Sequence, residues 1–454
     1  MLIIGQVLAP LLVFGLVVFI HELGHFLAAK RAGVYTPRFS IGFGPAIWKR
    51  QIGETEYVLA AIPLGGYVRM ASREEDSMAA LEGGGEKGLD IPPDRFFESK
   101  SLPVRIGILV AGVSMNILLG YVIFTTQILV GGRQWPATRV VNEVLPVVQA
   151  PALASAIQPG DTILAVGVRP VAHWGDVVRG IMGDSASTLR VTTQRGTREI
   201  ALTGSATVAR QRVVQALNYQ IPAVIGDVMP DGPADHAGIA VGDTIVRVGG
   251  APVSDWDGFV QHIKASPDSD LAVEVSRGGA HRTLTVKPRK SDTDPKIGQI
   301  LVTPGGSYVR EPVAFGEALT LGGRETWAAS TLIATELKKL ATRKTSLKSL
   351  QGPVGIVRQS AAAARQGWGW LFRLIALLSI NVALLNMLPI PILDGGQILM
   401  NVVESAKGSA FNMRTREYIL RFGFATLALI FAIVMYNDVV PPLVDWIRRH
   451  IFGS

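Results

Sequence analysis

The chain is 454 residues long, 48% hydrophobic and 18% charged, which bounds it to several domains and excludes both a wholly soluble and a wholly membrane-embedded protein. Its net charge of +8 does not point to nucleic acid, because the basic residues are scattered rather than gathered into a patch. There is no cysteine, so disulfides and thiolate metal ligands are excluded and only His, Asp and Glu remain to bind a metal.

The first apolar run starts at the N-terminus and carries no charge from Leu2 to Phe19. With the residues that follow, it is long enough to cross a hydrocarbon core of ~30 Å. It lacks a basic n-region and a small-residue cleavage site, so it is expected to be a retained span (1–31) rather than a signal peptide. The run ends in FGLVVFIHELGHFL, residues 14–27. His21 and His25 stand four residues apart, one above the other on a helix face, where two neutral imidazoles can hold one Zn²⁺. Glu22 is then placed to act on water. Satisfied core histidines would read the same way, but ionisable groups at membrane depth are functional by default.

Residues 32–103 are expected to be a membrane-associated β region and loop. The stretch 41–70 alternates Gly, β-branched and aromatic residues with Gly53 at a turn, as in a hairpin, and 71–94 is a polar, Gly-rich loop. A second span is expected over 104–131, with Asn116 inside it, more readily explained as helix-packing glue than as a functional amide. From about 135 to 310 the chain turns soluble in character and repeats. GDTILAVGVRPVAHW (160–174) matches GDTIVRVGGAPVSDW (242–256), and Arg195-Gly196 and Arg277-Gly278 keep the same offset. Two copies of this length imply tandem domains, 135–220 and 221–307. The succession of small-residue helix, Gly-Asp, apolar strand and turn resembles PDZ domains, which bind extended peptides at a sheet edge. Peptide binding and steric gating are both open.

Residues 311–351 are basic and amphipathic, suited to lying on a membrane surface or packing on a domain. Gln351–Ile356 reads as a turn. A third membrane segment, 368–402, contains Asn381, Asn386, Pro389, Pro391, Asp394 and Gly395-Gly396, so its helix must break. A fourth span is expected over 417–447. Lys30, Arg31, Arg38, Lys49, Arg50, Arg69 and Arg73 follow the first span, and Lys407, Arg414 and Arg416 follow the third, which places both connections in the cytoplasm. His21, His25 and Asp394 then share one depth in the cytoplasmic half of the membrane. Asp394 can cap a helix, but at that depth it can also complete a set of two histidines and a carboxylate with an open fourth position, the catalytic zinc pattern.

HELGH, PLGGYVRM, Asn116, GPVGI and NMLPIPILDGG together resemble the site-2 family of intramembrane zinc metalloproteases. With two PDZ-like copies between the second and third spans, the chain is similar to the Gram-negative branch that cleaves anti-sigma factors. The resemblance covers nearly the whole sequence. It implies a multi-pass α-helical membrane protein of about four spans, with a membrane-associated β-hairpin or sheet and two α+β PDZ-like domains. It implies one zinc on His21, His25 and Asp394, Glu22 as the catalytic residue, and substrate contacts at Pro63, Gly65, Gly66, Tyr67, Asn381 and Asn386. The implied substrate is a single-pass membrane protein, the implied partners are substrate tails at the PDZ copies and the lipid bilayer, and the implied setting is the bacterial inner membrane with the PDZ copies in the periplasm. Two positions depart from the family pattern: AGVSMN (111–116) lacks the usual Pro, and Gln397 stands where a His is usual. A silent PDZ-bearing scaffold or a midplane metal transporter are the alternatives. The scaffold would not need the ligands, and the transporter would want inverted repeats among its spans, which the sequence does not display.

Overall fold

The computed structural model describes residues 2–72, 91–229, 232–291, 294–342 and 352–451. The expected polar, Gly-rich loop falls largely on 73–90, and Gln351 and the end of the amphipathic stretch on 343–351, all outside the described residues. The chain forms two compact units, one of residues 1–130 and 313–454 and one of residues 131–312.

The first unit is built of apolar helices and one curled sheet. Helix α1 (Leu2–Arg31) runs into strands β1 (Arg38–Ile52) and β2 (Thr55–Arg69), and helix α2 (Leu102–Gly131) follows. After the second unit come α3 (Phe315–Ala341), α4 (Pro353–Gln366), α5 (Trp368–Asn386), α6 (Asp394–Lys407) and α7 (Met413–Ile451). Among the described residues four helices are long and apolar enough to cross a membrane: Ala9–Arg31, Leu102–Gly131, Trp368–Asn386 and Arg414–Val440. Ala9, Val13 and Val17 of α1 pack on Leu371 and Ile375 of α5, and Phe124 of α2 packs on Ala376 and Ile380. Helix α7 instead leaves Phe422, Phe424 and Leu429 exposed, a surface suited to lipid rather than water.

The hairpin turns at Gly53 (φ +60°), the residue its sequence singled out. Its register is more folded than a plain hairpin. Residues 38–41 pair with 66–69 on one side and 56–59 on the other, while 48–52 pair with 55–59. The two long strands therefore double back on themselves.

One element differs from the sequence reading, and another breaks where that reading expects. Gln351–Ile356 is not simply a turn, because Pro353 opens α4. Proline is pre-organised for a first helical turn, and the buried Asp438 of α7 accepts from the Gly352 and Gly355 N–H groups at 3.0 and 2.8 Å, a carboxylate on a helix N-terminus. The segment 368–402 is two helices, α5 and α6, separated by 387–393, where Pro389 and Pro391 deny the chain helical hydrogen bonds.

The second unit holds the repeat. Each copy is a four-stranded antiparallel sheet: Arg169–Pro170, Ile163–Val166, Thr188–Thr193, Gly196–Ala201 in the first, and Ala251–Pro252, Thr244–Val248, Leu271–Arg277, Ala280–Val286 in the second. Each is covered by a helix, Trp174–Met182 or Trp256–Lys264, whose opening Trp enters the core of its copy, and the first core also takes Ala209, Val213 and Ala216 of the helix Ala206–Ala216. The repeated Asp and Arg explain their own recurrence. Asp161 accepts from Arg195 at 2.5 Å and Asp243 from Arg277 at 2.6 Å, each carboxylate also taking one backbone N–H. The ends of the unit meet, Arg133–Pro136 pairing antiparallel with Tyr308–Glu311.

Candidate active site

Helix α1 buries His21 and His25, each 6% exposed. The two Nε2 atoms lie 3.2 Å apart. His25 Nδ1–H donates to the Ile108 carbonyl of α2 at 2.9 Å, which fixes the tautomer and leaves the Nε2 lone pair for the centre. Helices α1 and α2 approach closely enough for this because both carry glycine at the crossing. A Cβ on Gly24 would stand 2.4 Å from the Ala111 carbonyl oxygen, and one on Gly112 would stand 2.4 Å from His25 Nε2.

Asp394 is the first residue of α6. Its Oδ2 lies 3.2 Å from His21 Nε2 and its Oδ1 3.5 Å from His25 Nε2. The break at 387–393 brings it there. Gly395 and Gly396 allow the loop to lie against the helix start, since a Cβ on either would stand 2.2 or 2.0 Å from the carbonyl oxygen of Met387 or Ile390. The ligand atoms of His21, His25 and Asp394 all fall within 4.8 Å of one another. Oδ2 of Asp394 is buried without a hydrogen-bond partner. Two imidazoles and a carboxylate facing one another at this range could hold a cation between them, and two His with one carboxylate is a zinc donor set with a free position. The residues fit the metal.

Glu22 stands beside this set, and its Oε2 accepts the Val68 N–H of β2 at 3.1 Å. The group lines a cavity of about 440 Å³ with Met70, Asn386, Asp394 and Gln397. Asn386 Nδ2 lies 3.1 Å from His21 Nε2. Asn381, one turn and a half earlier on α5, is not among the described lining residues; five residues along a helix put its amide ~140° away. Gly65, Gly66 and Tyr67 are likewise absent from the lining and serve the hairpin itself. Gly65 has φ +136° and lies against the Phe43 ring, Gly66 lies against the Ser40 carbonyl, and the Tyr67 hydroxyl accepts from Arg38 at 3.3 Å. Pro63 lies within β2.

Asn116 has more at stake than helix packing. It is fully buried, its Nδ2 lies 3.5 Å from His21 Nδ1, and its Oδ1 has no partner. With Nε2 of His21 directed to the centre, Nδ1 carries the proton, and the same amide turned over presents Oδ1 to accept it. A lone Asn within an apolar run was the sequence signal, but its partner lies 95 residues away.

A second cluster, His173, Asp176 and Glu311, has ligand atoms equally close together. Its bonding argues against a metal. His173 Nδ1 accepts from Gly175 N–H at 3.2 Å, capping the helix, so its Nε2 carries the proton. Arg179 already pairs with both carboxylates, its hydrogen bond holding Glu311 below the usual carboxylate range, and Trp135 Nε1 donates to Glu311 at 2.9 Å. The cluster ties the strand pair at the ends of the unit to the first copy.

The model of peptidase family M50 matches residues 9–430. The chain is 31% identical to the regulator of sigma-E protease RseP of Escherichia coli, over 93% of this chain and 96% of that protein. It is 30% identical to the regulator of sigma E protease of Salmonella typhimurium, over 96% and 98%. A Xylella fastidiosa protein that carries the name zinc metalloprotease is 32% identical, over 94% and 97%.

Proposed function

The chain belongs to peptidase family M50, and from that membership we propose that His21, His25 and Asp394 hold the zinc of this membrane metalloendopeptidase and that Glu22 is its general base. The observation that carries the assignment is the convergence of two His and one Asp, from helices far apart in sequence, on one buried point beside a carboxylate. Zinc, when bound, polarises a carbonyl and acidifies water. Glu22 takes the proton of the attacking water and delivers it to the leaving amine. The Val68 N–H keeps one of its oxygens engaged, which fixes the direction of the other. Asn116 and the Ile108 carbonyl hold the two imidazoles in the tautomer that the ligand role requires.

The substrate is a single-pass membrane protein, of the anti-sigma-factor kind in view of the sigma-E regulators among the relatives. A transmembrane helix satisfies its own amides, so a scissile bond becomes accessible only when the helix unwinds. Residues 66–69 pair with 38–41 on one side, and their other edge adjoins Glu22 and the cavity. We take that edge to receive the unwound segment as an added strand, with the Asn386 amide supplying a further hydrogen bond. Gly65, Gly66 and Tyr67 act by shaping the hairpin that presents the edge. The repeats are PDZ domains that govern access, on the side of the inner membrane opposite the basic connections, and the active site lies in the cytoplasmic half.

Metal analysis with cleavage of a membrane-peptide substrate tests the assignment. His21→Ala, His25→Ala and Asp394→Ala should each lose zinc, whereas Glu22→Gln should keep it and cleave at least 100-fold more slowly, on the order of a general-base contribution. Full zinc occupancy in Asp394→Ala would remove that residue from the ligand set, and near-normal cleavage by Glu22→Gln would remove Glu22 from the chemistry.

A further inference from the structure

Helix α6 carries Asp394, yet its position relative to α1 is not inherited from helix continuity. It follows a seven-residue non-helical segment, 387–393, and the ligands His21 and His25 lie on a different element altogether. Something lateral must set the distance from Asp394 to the histidines. Asp394, Gln397 and Asn401 occur at i, i+3 and i+7, one face of α6. Gln397 lines the catalytic cavity and Asn401 is 5% exposed. Across from this face, Arg105 in the first turn of α2 donates from its guanidinium to Asn401 Oδ1 at 2.7 Å. The Asn401 amide in turn donates to the Gln397 carbonyl at 2.8 Å, so the contact reaches the turn that bears Asp394. One turn further along α2, the Ile108 carbonyl holds His25 at 2.9 Å.

We propose that this single turn of α2, Arg105 to Ile108, sets the spacing of the zinc ligands, with Arg105 and Asn401 as positioning residues for Asp394. The backbone of the turn fixes His25 through Ile108, and the side chain that begins it fixes α6 through Asn401. A helical turn is stiff, so a distance is transferred between two elements that share no direct covalent path. Arg is suited to the role because its long side chain and planar fork of donors reach across a helix interface. An arginine at the start of an apolar span also needs a polar partner, and Asn401 supplies one. Neither residue touches the cavity chemistry. Their effect is on where Asp394 stands, which a metal centre registers as affinity.

The inference rests on His21, His25 and Asp394 being the ligands, and the experiment separates the two. Zinc affinity of the full-length protein in detergent is measured by competition with a chromogenic chelator, for Arg105→Met, Asn401→Leu, the double variant, Asn401→Asp and Asp394→Ala. Arg105→Met and Asn401→Leu should each weaken zinc 10- to 100-fold, and the double variant should be no worse than the weaker single, because one contact is removed twice. Asn401→Asp keeps the acceptor for Arg105 and loses only the donor to the Gln397 carbonyl, so it should bind zinc more tightly than Asn401→Leu, recovering a large part of what that variant loses. Cleavage at saturating zinc should recover most of its rate in both single variants, which a general loss of folding would not permit. Unchanged zinc affinity in the two single variants, additive losses in the double, or an Asn401→Asp protein as impaired as Asn401→Leu would each overturn the proposal. If Asp394→Ala binds zinc normally, the ligand assignment fails instead.

Discussion

At the scale of single residues, the sequence was most legible where function depends on local spacing. His21 and His25 face the same way because a helix repeats every 3.6 residues, and no long-range knowledge was needed to see it. Their supports were not legible, since Asn116 and Ile108 meet the histidines only through the crossing of two helices. The same limit applies to Glu54, which stands at the hairpin turn. It accepts from Lys30 at 2.6 Å and from both terminal nitrogens of Arg95 at 2.7 and 2.9 Å, tying the end of α1, the hairpin and the segment before α2 together. The Arg95 hydrogen bonds are the main reason its pKa falls from 4.5 to about 2, with Lys30 adding to them against the opposing cost of burial. A depressed carboxylate pKa contributes stability in full above the unfolded value and loses it as pH falls through the folded one. Glu54→Gln should therefore unfold more easily than the parent at pH 7, by about 1–2 kcal/mol for a charged pair that is 27% exposed. The gap should close between pH 4.5 and about 2, as followed by thermal unfolding across that range. A gap that persists at pH 2 would show that the carboxylate charge is not what the site uses.

At the scale of elements, the spans and the break between α5 and α6 were legible because apolar length and proline act locally. The doubled-back register of the hairpin was not, because pairing 38–41 with both 56–59 and 66–69 is a long-range choice that alternation alone leaves open. Helix α4 was hidden for a related reason. Gly352 and Pro353 look like turn residues until Asp438, 86 residues away from Gly352, caps the helix they begin. Four apolar helices, with basic residues concentrated after the first and third, make a directional prediction. Reporters fused near residues 80 and 410 should respond as cytoplasmic, and one near residue 290 as exported. The opposite pattern would place the repeats in the cytosol and detach the protein from signalling across the envelope.

At the scale of the molecule, the repeat was legible as recurring Gly-Asp, Trp and Arg-Gly, and the second unit accounts for the recurrence through the Asp161–Arg195 and Asp243–Arg277 pairs. What no repeat could reveal is how that unit ends. Its first and last strands pair, with Pro136 opposite Tyr308, so the chain leaves the unit beside the point where it entered. A whole unit inserted through adjacent ends can be removed with little strain on what remains, because a short turn can replace it. This bears on whether the repeats perform the reaction or restrict it. The cluster His173–Asp176–Glu311 is engaged by Arg179 and by a helix cap, so it offers no rival metal centre, and the zinc set proposed here lies wholly in the first unit. Replacing residues 137–307 by a two- to four-residue turn should then leave zinc content and cleavage of a short membrane substrate within a few-fold of the parent. It should also admit substrates with long outer domains that the parent refuses, measured by cleavage of a size series in proteoliposomes. If the shortened protein is folded and zinc-loaded yet cuts nothing, the repeats belong to the productive substrate site, and access control is not their function.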